Sequence, residues 1–203
     1  MTAPRFAPLA AVTLLLTLGI MTGCDRVGGA MGLTGTVAAT APQLIGPERL
    51  RATLPDRGAE AVLGPVSRTG GVTEWQTLDG ITLAFRDGVL TGTRGLGDDL
   101  MSADVSGDVA MLRGTGSGYH PHIRSYLDGE NQTVFRSYQC RPTARDRNMT
   151  GQEAALRRVT MRCVSPRDSF TNVYWLDSGG TVIRSRQWVG PQIGYMETQR
   201  VSR

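Results

Sequence analysis

The chain has 203 residues, of which 6% are aromatic and 26 are glycine, a composition that suits a turn-rich β protein better than a helical bundle. All 22 basic residues are arginine, which excludes lysine-dependent chemistry such as Schiff-base formation or a P-loop phosphate site. The net charge is +4, and the arginines are spread along the chain without a basic block, so we predict no nucleic-acid binding.

Residues 1–23 predict a cleavable export signal. Arg5 is the only charged residue before Cys24, and the stretch from Ala7 to Ile20 is almost wholly apolar. This stretch is shorter than the roughly 20 apolar residues of a spanning helix. Its ending at Gly23-Cys24 resembles a bacterial lipobox, where the cysteine sulfur receives a diacylglycerol and becomes the new N-terminus. An ordinary cleaved signal and an uncleaved anchor are the alternatives.

We therefore predict that Cys24 is lipidated and holds the protein on a bilayer surface. Each buried methylene of an acyl chain contributes roughly 0.8 kcal/mol, so several chains together make a lasting anchor. Residues 24–40 are rich in glycine, alanine and threonine and predict a flexible tether. Residues 41–203 are enough for a single β domain with a sizeable core.

The remaining chain predicts a mainly all-β fold built from antiparallel meanders. A short helical turn is expected first, over Pro47 to Thr53, where proline and glutamate suit a first turn. Period-two alternation and Asp-Gly turns then predict strands, and a capping-box pattern from Thr150 to Glu153 is a competing helical interpretation. The predicted strands cover 72–77, 81–86 and 89–94; 124–127, 133–140 and 156–164; and 170–176, 181–189 and 194–201.

Cys140 and Cys163 remain as a pair once Cys24 carries lipid, and an exported protein lies in an oxidising compartment. An antiparallel return over 156–164 would bring the two residues together. A disulfide there would close a loop of roughly 23 residues and contribute about 3 kcal/mol. Two buried thiols, or a metal site that lacks enough other ligands, are the alternatives.

The segment from Arg94 through Gly95, Gly97, Asp98 and Asp99 is a candidate functional loop. Its glycines permit a bend with positive φ, and its aspartates suit hydrogen bonding to the backbone of a turn. We favour this turn interpretation and assign no catalytic residues.

A polysaccharide hydrolase is the alternative function, with Asp98, Asp99 and Asp104 supplying acid and base groups. Its two carboxyl groups would have to face one sugar at about 5–9.5 Å. Adjacent residues of an extended chain point apart, so Asp104 or Glu130 would have to converge with the pair.

His120-Pro121-His122 lies on an extended segment that could place two imidazoles on one side, as in some zinc sites. A third ligand would be required, and Asp104 or an aspartate of the 98–99 pair is the candidate. The nearby glycines of 114–118 favour a mobile loop instead, so we predict no metal and no other cofactor.

Trp75, Trp175 and Trp188 each lie in a strand-like run beside polar neighbours. Because aromatic rings stack on sugars, a saccharide platform is one interpretation. Core packing is the favoured interpretation for each of the three.

Several blocks between Gly70 and Glu197 together resemble the YjbF/GfcB family of bacterial lipoproteins. The combination of Gly-Leu-Gly-Asp-Asp-Leu with Ser-Arg-Gln-Trp is the most specific part of the resemblance. The blocks are Trp75–Thr77, Gly80–Arg86, Gly88–Met101, Asn172–Asp177, Ser185–Trp188 and Pro191–Glu197.

The resemblance implies a periplasm-facing lipoprotein that accompanies exopolysaccharide or group 4 capsule secretion, with antiparallel strands curled into an incomplete barrel or sandwich. In addition to the membrane itself, it implies two kinds of partner: polysaccharide-export proteins and the polysaccharide. Asp25 after the lipidated cysteine resembles an inner-membrane retention signal, but Arg26 is not its usual companion, so outer-membrane placement is favoured. The predicted function is a non-enzymatic accessory role in polysaccharide assembly or export.

Overall fold

The computed structural model describes residues 41–116, 118–147 and 156–201. They form one antiparallel sheet of twelve strands that curls into a nearly closed barrel. A short helix, α1 (Ser106–Leu112), and a 3-10 turn at Pro55–Arg57 complete the described elements. The strands are β1 (Arg49–Leu54), β2 (Ala59–Thr69), β3 (Val72–Gln76), β4 (Thr82–Arg86), β5 (Val89–Arg94), β6 (Leu100–Asp104), β7 (His120–Leu127), β8 (Thr133–Arg147), β9 (Arg157–Val164), β10 (Ser169–Leu176), β11 (Val182–Gly190) and β12 (Gly194–Val201).

The strand order is β5-β4-β3-β2-β1-β12-β11-β10-β9-β8-β7-β6. Every neighbouring pair is also consecutive in the chain except β1 and β12, which pair from Arg49↔Val201 to Thr53↔Glu197. The two ends of the sheet are β5 and β6, which follow each other directly in the sequence. The barrel therefore nearly closes where the chain passes from the first five strands to the last seven.

The three predicted meanders are confirmed, with strands that extend beyond the predicted limits at several ends. The Asp87-Gly88 turn has φ of 49° and 86°, the left-handed conformation of a tight two-residue hairpin. The turn at 177–180 is held by the Asp177 carboxylate, which accepts a hydrogen bond from the Thr181 amide at 2.8 Å. Local turn chemistry thus gave the correct hairpins.

The helical turn predicted over Pro47 to Thr53 is wrong, because Arg49–Leu54 forms β1. Leu50 and Ala52 face the core, and the strand pairs with β2 on one side and with the distant β12 on the other. Strand pairing over this distance overrides a weak local helix signal. Strands β2 and β6 and helix α1 were not predicted, and the capping-box pattern at 150–153 lies outside the described residues.

The barrel interior holds two clusters of buried apolar side chains. One is built mainly on β8, β9 and β10 and includes Val159, Met161 and Tyr174. The other is spread over β1 to β6 together with β11 and β12, and includes Trp75 and Leu83. Along β9 and β10 every second residue is buried, which is the period-two pattern of a sheet with one face on the core.

Polar side chains also cross the interior and tie distant strands together. Gln187 of β11 donates to the Gly88 carbonyl at 2.9 Å and accepts from the Leu90 amide at 2.8 Å. Arg124 of β7 donates to the carbonyls of Trp188 and Val189 at 2.7 and 3.2 Å. Buried polar groups are costly without partners, so these bonds favour one arrangement of the strands around the core.

Cys140 and Cys163 lie directly opposite each other on β8 and β9 and form a disulfide, with Cα atoms 4.0 Å apart. Both residues are fully buried in the first apolar cluster. Among the residues that the structure describes, helices are too short or too polar to cross a membrane.

Candidate functional site

Side chains close the seam between β5 and β6, where the described chain has no backbone ladder. The Arg94 guanidinium donates to the carbonyls of Leu100 and Met101, at 3.2 Å each. The Thr93 hydroxyl donates to Asp99 at 2.7 Å and accepts from the Leu100 amide at 3.0 Å. Arg94 and Asp99, two residues of the predicted functional loop, therefore hold the barrel closed.

The loop itself is a turn organised by Asp99. Its carboxylate accepts hydrogen bonds from the amides of Gly95 and Leu96, at 2.8 and 3.2 Å. Gly95 and Gly97 have φ of 91° and 96°, values that glycine adopts readily and side-chain-bearing residues rarely do. Asp98 is exposed. These contacts match the turn interpretation of the segment.

A groove of about 510 Å³ lies beside the seam and is lined by β3, β4, β5 and β6; we call it the seam groove. Its charged lining residues are two acids, Glu74 and Asp104, and two arginines, Arg86 and Arg94. The remaining polar lining consists of hydroxyl groups on threonine and serine. The charges of this groove balance.

The three aspartates of the hydrolase alternative do not share this groove. Asp104 lines it, whereas Asp98 and Asp99 do not. Asp99 and Asp104 stand at opposite ends of β6, and five residues of strand span about 16 Å. Glu130 lies in the β7–β8 turn, where its amide bonds to Asp128. The candidate carboxyl groups of the hydrolase alternative therefore do not converge on one groove, as a glycosidase would require of them.

Asp104 instead hydrogen-bonds to Ser106, the first residue of α1. Its carboxylate accepts hydrogen bonds from the hydroxyl and the amide of Ser106, and these bonds lower the pKa of Asp104 below its usual value. An ionised carboxylate at this position suits the first turn of a helix.

A buried charged cluster joins α1 to β7. The carboxylate of Asp108 lies 2.6 Å from Nδ1 of His122 and 3.4 Å from Nε2 of His120, and all three side chains are buried. Burial by itself would raise the pKa of Asp108, but the contacts with the two imidazoles outweigh it and lower that pKa to about 2. The carboxylate is therefore ionised inside the protein.

His120 and His122 do face the same side of β7, as their spacing predicted. Their acidic partner is Asp108, which sequence reasoning missed in favour of Asp104 and the 98–99 pair. Asp108 lies on α1, a helix that the sequence analysis did not predict. Gly107, next to Asp108, shows how closely α1 packs on β7, because a Cβ at this position would lie only 2.3 Å from the His120 ring.

The Cys140 sulfur beside this cluster is not available as a metal ligand. Ligand atoms of Asp108, His122 and Cys140 lie within 4.8 Å of one another, but the Cys140 sulfur is bonded to Cys163. A disulfide sulfur lacks the thiolate charge that binds zinc. The geometry is that of a buried carboxylate in contact with two imidazoles, which joins α1 to β7.

A comparison with protein families shows which family this chain belongs to. The family model described as "Group 4 capsule polysaccharide lipoprotein gfcB, YjbF" matches residues 42–201. The chain belongs to the YjbF family. No curated protein is significantly similar to it in sequence.

A solved structure supports the fold of this YjbF family member. The crystal structure of the hypothetical lipoprotein YmcC from Escherichia coli K12 matches with a TM-score of 0.55 and 17% sequence identity. The match covers 77% of this chain and 83% of that chain. At this identity the similarity concerns the fold alone.

The residues that suggested the YjbF family are structural in the described barrel. Ser185 and Gln187 belong to the interior polar network, and Asp99 organises the seam turn. Trp75 is buried in the second apolar cluster, and Trp188 packs against the first. Trp175 is half-buried, with the Arg184 guanidinium 5.2 Å from its ring centre. Core packing therefore explains two of the three tryptophans.

Proposed function

We propose that this protein is a lipid-anchored envelope lipoprotein that assists the assembly or export of capsule polysaccharide or exopolysaccharide without catalysing a reaction. The family match over 42–201 carries the proposal, because it covers all twelve strands of the barrel. The Gly23-Cys24 ending of the export signal supplies the anchor. The proposed placement is the periplasmic side of the envelope, with the outer membrane favoured.

The use of the acidic side chains supports a non-enzymatic role. Asp99 holds the seam turn, Asp104 prepares α1, and Asp108 is sealed inside the barrel. A general acid or base has to reach a substrate within hydrogen-bond distance. Asp99, Asp104 and Asp108 are thus engaged in holding the fold.

The lipid anchor is tested by labelling cells with a fatty-acid analogue. We expect the wild-type protein to take up label and Cys24→Ala to take up none, because the acyl chains are bonded to that sulfur. Cys140→Ser with Cys163→Ser is the matched control, since it removes two cysteines and leaves Cys24. An unmodified Cys24 or an intact Met1 in the purified natural protein would contradict the anchor.

The accessory role is tested in a strain that lacks the gene. We expect the amount of surface polysaccharide to fall and to be restored by the wild-type chain. Restoration by Cys24→Ala should be incomplete, because that chain is not confined to the membrane surface. Cross-linking in intact cells should capture polysaccharide-export proteins, and unchanged polysaccharide in the deletion strain would overturn the proposal.

A further inference from the structure

A second groove lies at the end of the barrel where the β4–β5 and β10–β11 turns meet α1. Its volume is about 480 Å³, within the range of pockets that bind small ligands. We call it the arginine groove. Its charged lining residues are Asp87, Arg113, Arg157 and Arg200.

Each arginine of this groove is held in place by a neighbouring element. Arg113, just after α1, pairs with Asp87 at 2.6 Å. Arg157 donates to the Leu112 carbonyl at the end of α1 at 2.8 Å. Arg200 donates to the Val182 carbonyl at 3.2 Å. The three guanidinium groups are thus positioned by the fold around one depression.

Positive charge is in excess here. The described lining contains three arginines and one carboxylate, that of Asp87. The contacts just given each involve one nitrogen of a guanidinium, and a guanidinium carries five N–H donors. Arginine binds carboxylates through two parallel hydrogen bonds, so such a cluster suits a ligand with several carboxylates.

The arginine groove continues into a smaller depression of about 110 Å³. Both are lined by Asp87, Val182 and Arg200, so they meet along one strip of surface. An extended footprint of this kind suits a chain of linked units better than a single small anion. Large exposed apolar side chains such as Leu78 and Phe135 do not line it, in contrast to surfaces that insert into lipid.

We propose that the arginine groove binds an acidic polysaccharide, with sugar carboxylates held by Arg113, Arg157 and Arg200. The polymer class rests on the proposed function, and the acidic character rests on the charge of the groove. Asp87 weakens the site, because its carboxylate occupies Arg113 and repels an acidic ligand. Because the arginines attract the ligand by charge, binding weakens as salt screens them.

Binding is tested with the full chain in detergent, using oligogalacturonate as the acidic probe and isothermal titration as the measurement. Arg113→Gln with Arg200→Gln should weaken binding at least tenfold. Arg51→Gln with Arg68→Gln is the matched control, because it removes the same charge from arginines paired with Glu60 and Glu48 outside the groove. The control should bind as the wild type does.

Asp87→Asn gives a test in the opposite direction. It keeps the size of the side chain, and asparagine tolerates the φ of 49° at this turn. We expect several-fold tighter binding of oligogalacturonate. A folded Asp87→Asn protein that binds more weakly would overturn the proposal, even if the arginine variants failed to fold.

Three further results would overturn the inference: no binding of oligogalacturonate, equal binding of a neutral dextran oligomer, or groove-dependent binding of phosphatidylglycerol vesicles alone. Complementation separates this inference from the proposed function. If the deletion lowers surface polysaccharide and the double groove variant restores it fully, the groove assignment fails and the accessory role stands. If the deletion changes nothing, the accessory role fails whatever the groove binds.

Discussion

The seam groove and the arginine groove are similar in volume, at about 510 and 480 Å³, but differ in how their charges are used. In the seam groove two arginines face two acids, and Arg94 and Asp104 also hydrogen-bond the backbone. In the arginine groove three arginines face one acid. A concave shape alone thus indicates little about a ligand, whereas unbalanced and well-positioned charge indicates what chemistry a groove can bind.

Helix α1 lines the arginine groove, and the buried cluster of Asp108, His120 and His122 joins it to β7. Disrupting this cluster gives the largest expected effect on stability. Asp108→Asn should lower the free energy of unfolding by about 3 kcal/mol, because it removes the charge that the two buried histidines face. Urea unfolding measures the loss. Asp104→Asn, which alters an exposed carboxylate at the start of the helix, is the control and should cost less than about 1 kcal/mol.

The same cluster predicts acid sensitivity. The pKa of Asp108 is lowered in the folded protein to about 2, from 3.8. Its contribution is therefore fully present above about pH 4–5 and is lost as the pH falls towards 2. At about 1.4 kcal/mol per pKa unit, the wild type should lose about 2 kcal/mol over this range.

Unfolding by urea at several pH values checks the acid sensitivity. Asp108→Asn should show a correspondingly smaller loss, since an amide does not titrate. Equal losses in the two proteins would show that other carboxylates cause the acid response.

At the seam, Asp98 and Asp99 should differ although they are adjacent. Asp99→Asn should cost about 1–2 kcal/mol, because an amide cannot accept all the hydrogen bonds that the carboxylate receives from Thr93, Gly95 and Leu96. Asp98→Asn should stay within about 0.5 kcal/mol. Thermal unfolding measures both, and polysaccharide output should follow stability. Lost output from a normally stable Asp98→Asn protein would return this loop to the functional candidates.

The smallest effects compare one arginine from each groove. Arg94→Gln should cost about 1 kcal/mol, because two carbonyls at the seam lose a charged donor, and should leave oligogalacturonate binding unchanged. Arg113→Gln should leave stability within about 0.5 kcal/mol, since its ion pair with Asp87 is exposed, and should weaken binding. The opposite pattern would reverse the roles assigned to the two grooves.

Local chemistry accounts for the parts of this fold that sequence reasoning predicted. The Asp-Gly turn at 87–88 and the four-residue turn at 177–180 are encoded by residues next to each other, and so is the alternation along β10. β1 shows the limit. Its strand depends on β12, whose residues lie about 150 positions later in the sequence, and no local pattern reports such a pairing.

The residues of the candidate sites also fall into two groups, those that sequence reasoning predicted and those that it missed. Sequence reasoning placed Asp99 in a turn, paired Cys140 with Cys163, and expected His120 and His122 to share one face. It missed Asp108 because the helix that carries it is short and weakly signalled. It could not assemble the arginine groove, whose arginines come from positions 113, 157 and 200.

By itself, the sequence determined the hairpins, the all-β class, the family resemblance and the prediction of an anchor at Cys24. Turn residues, period-two burial and short motifs act over a few neighbouring residues, so they are legible in the chain alone. Only the tertiary structure decided the partner of the two histidines, the side-chain closure of the seam and the meeting of three distant arginines. Those features depend on how the sheet curls, which brings together residues that no sequence spacing relates.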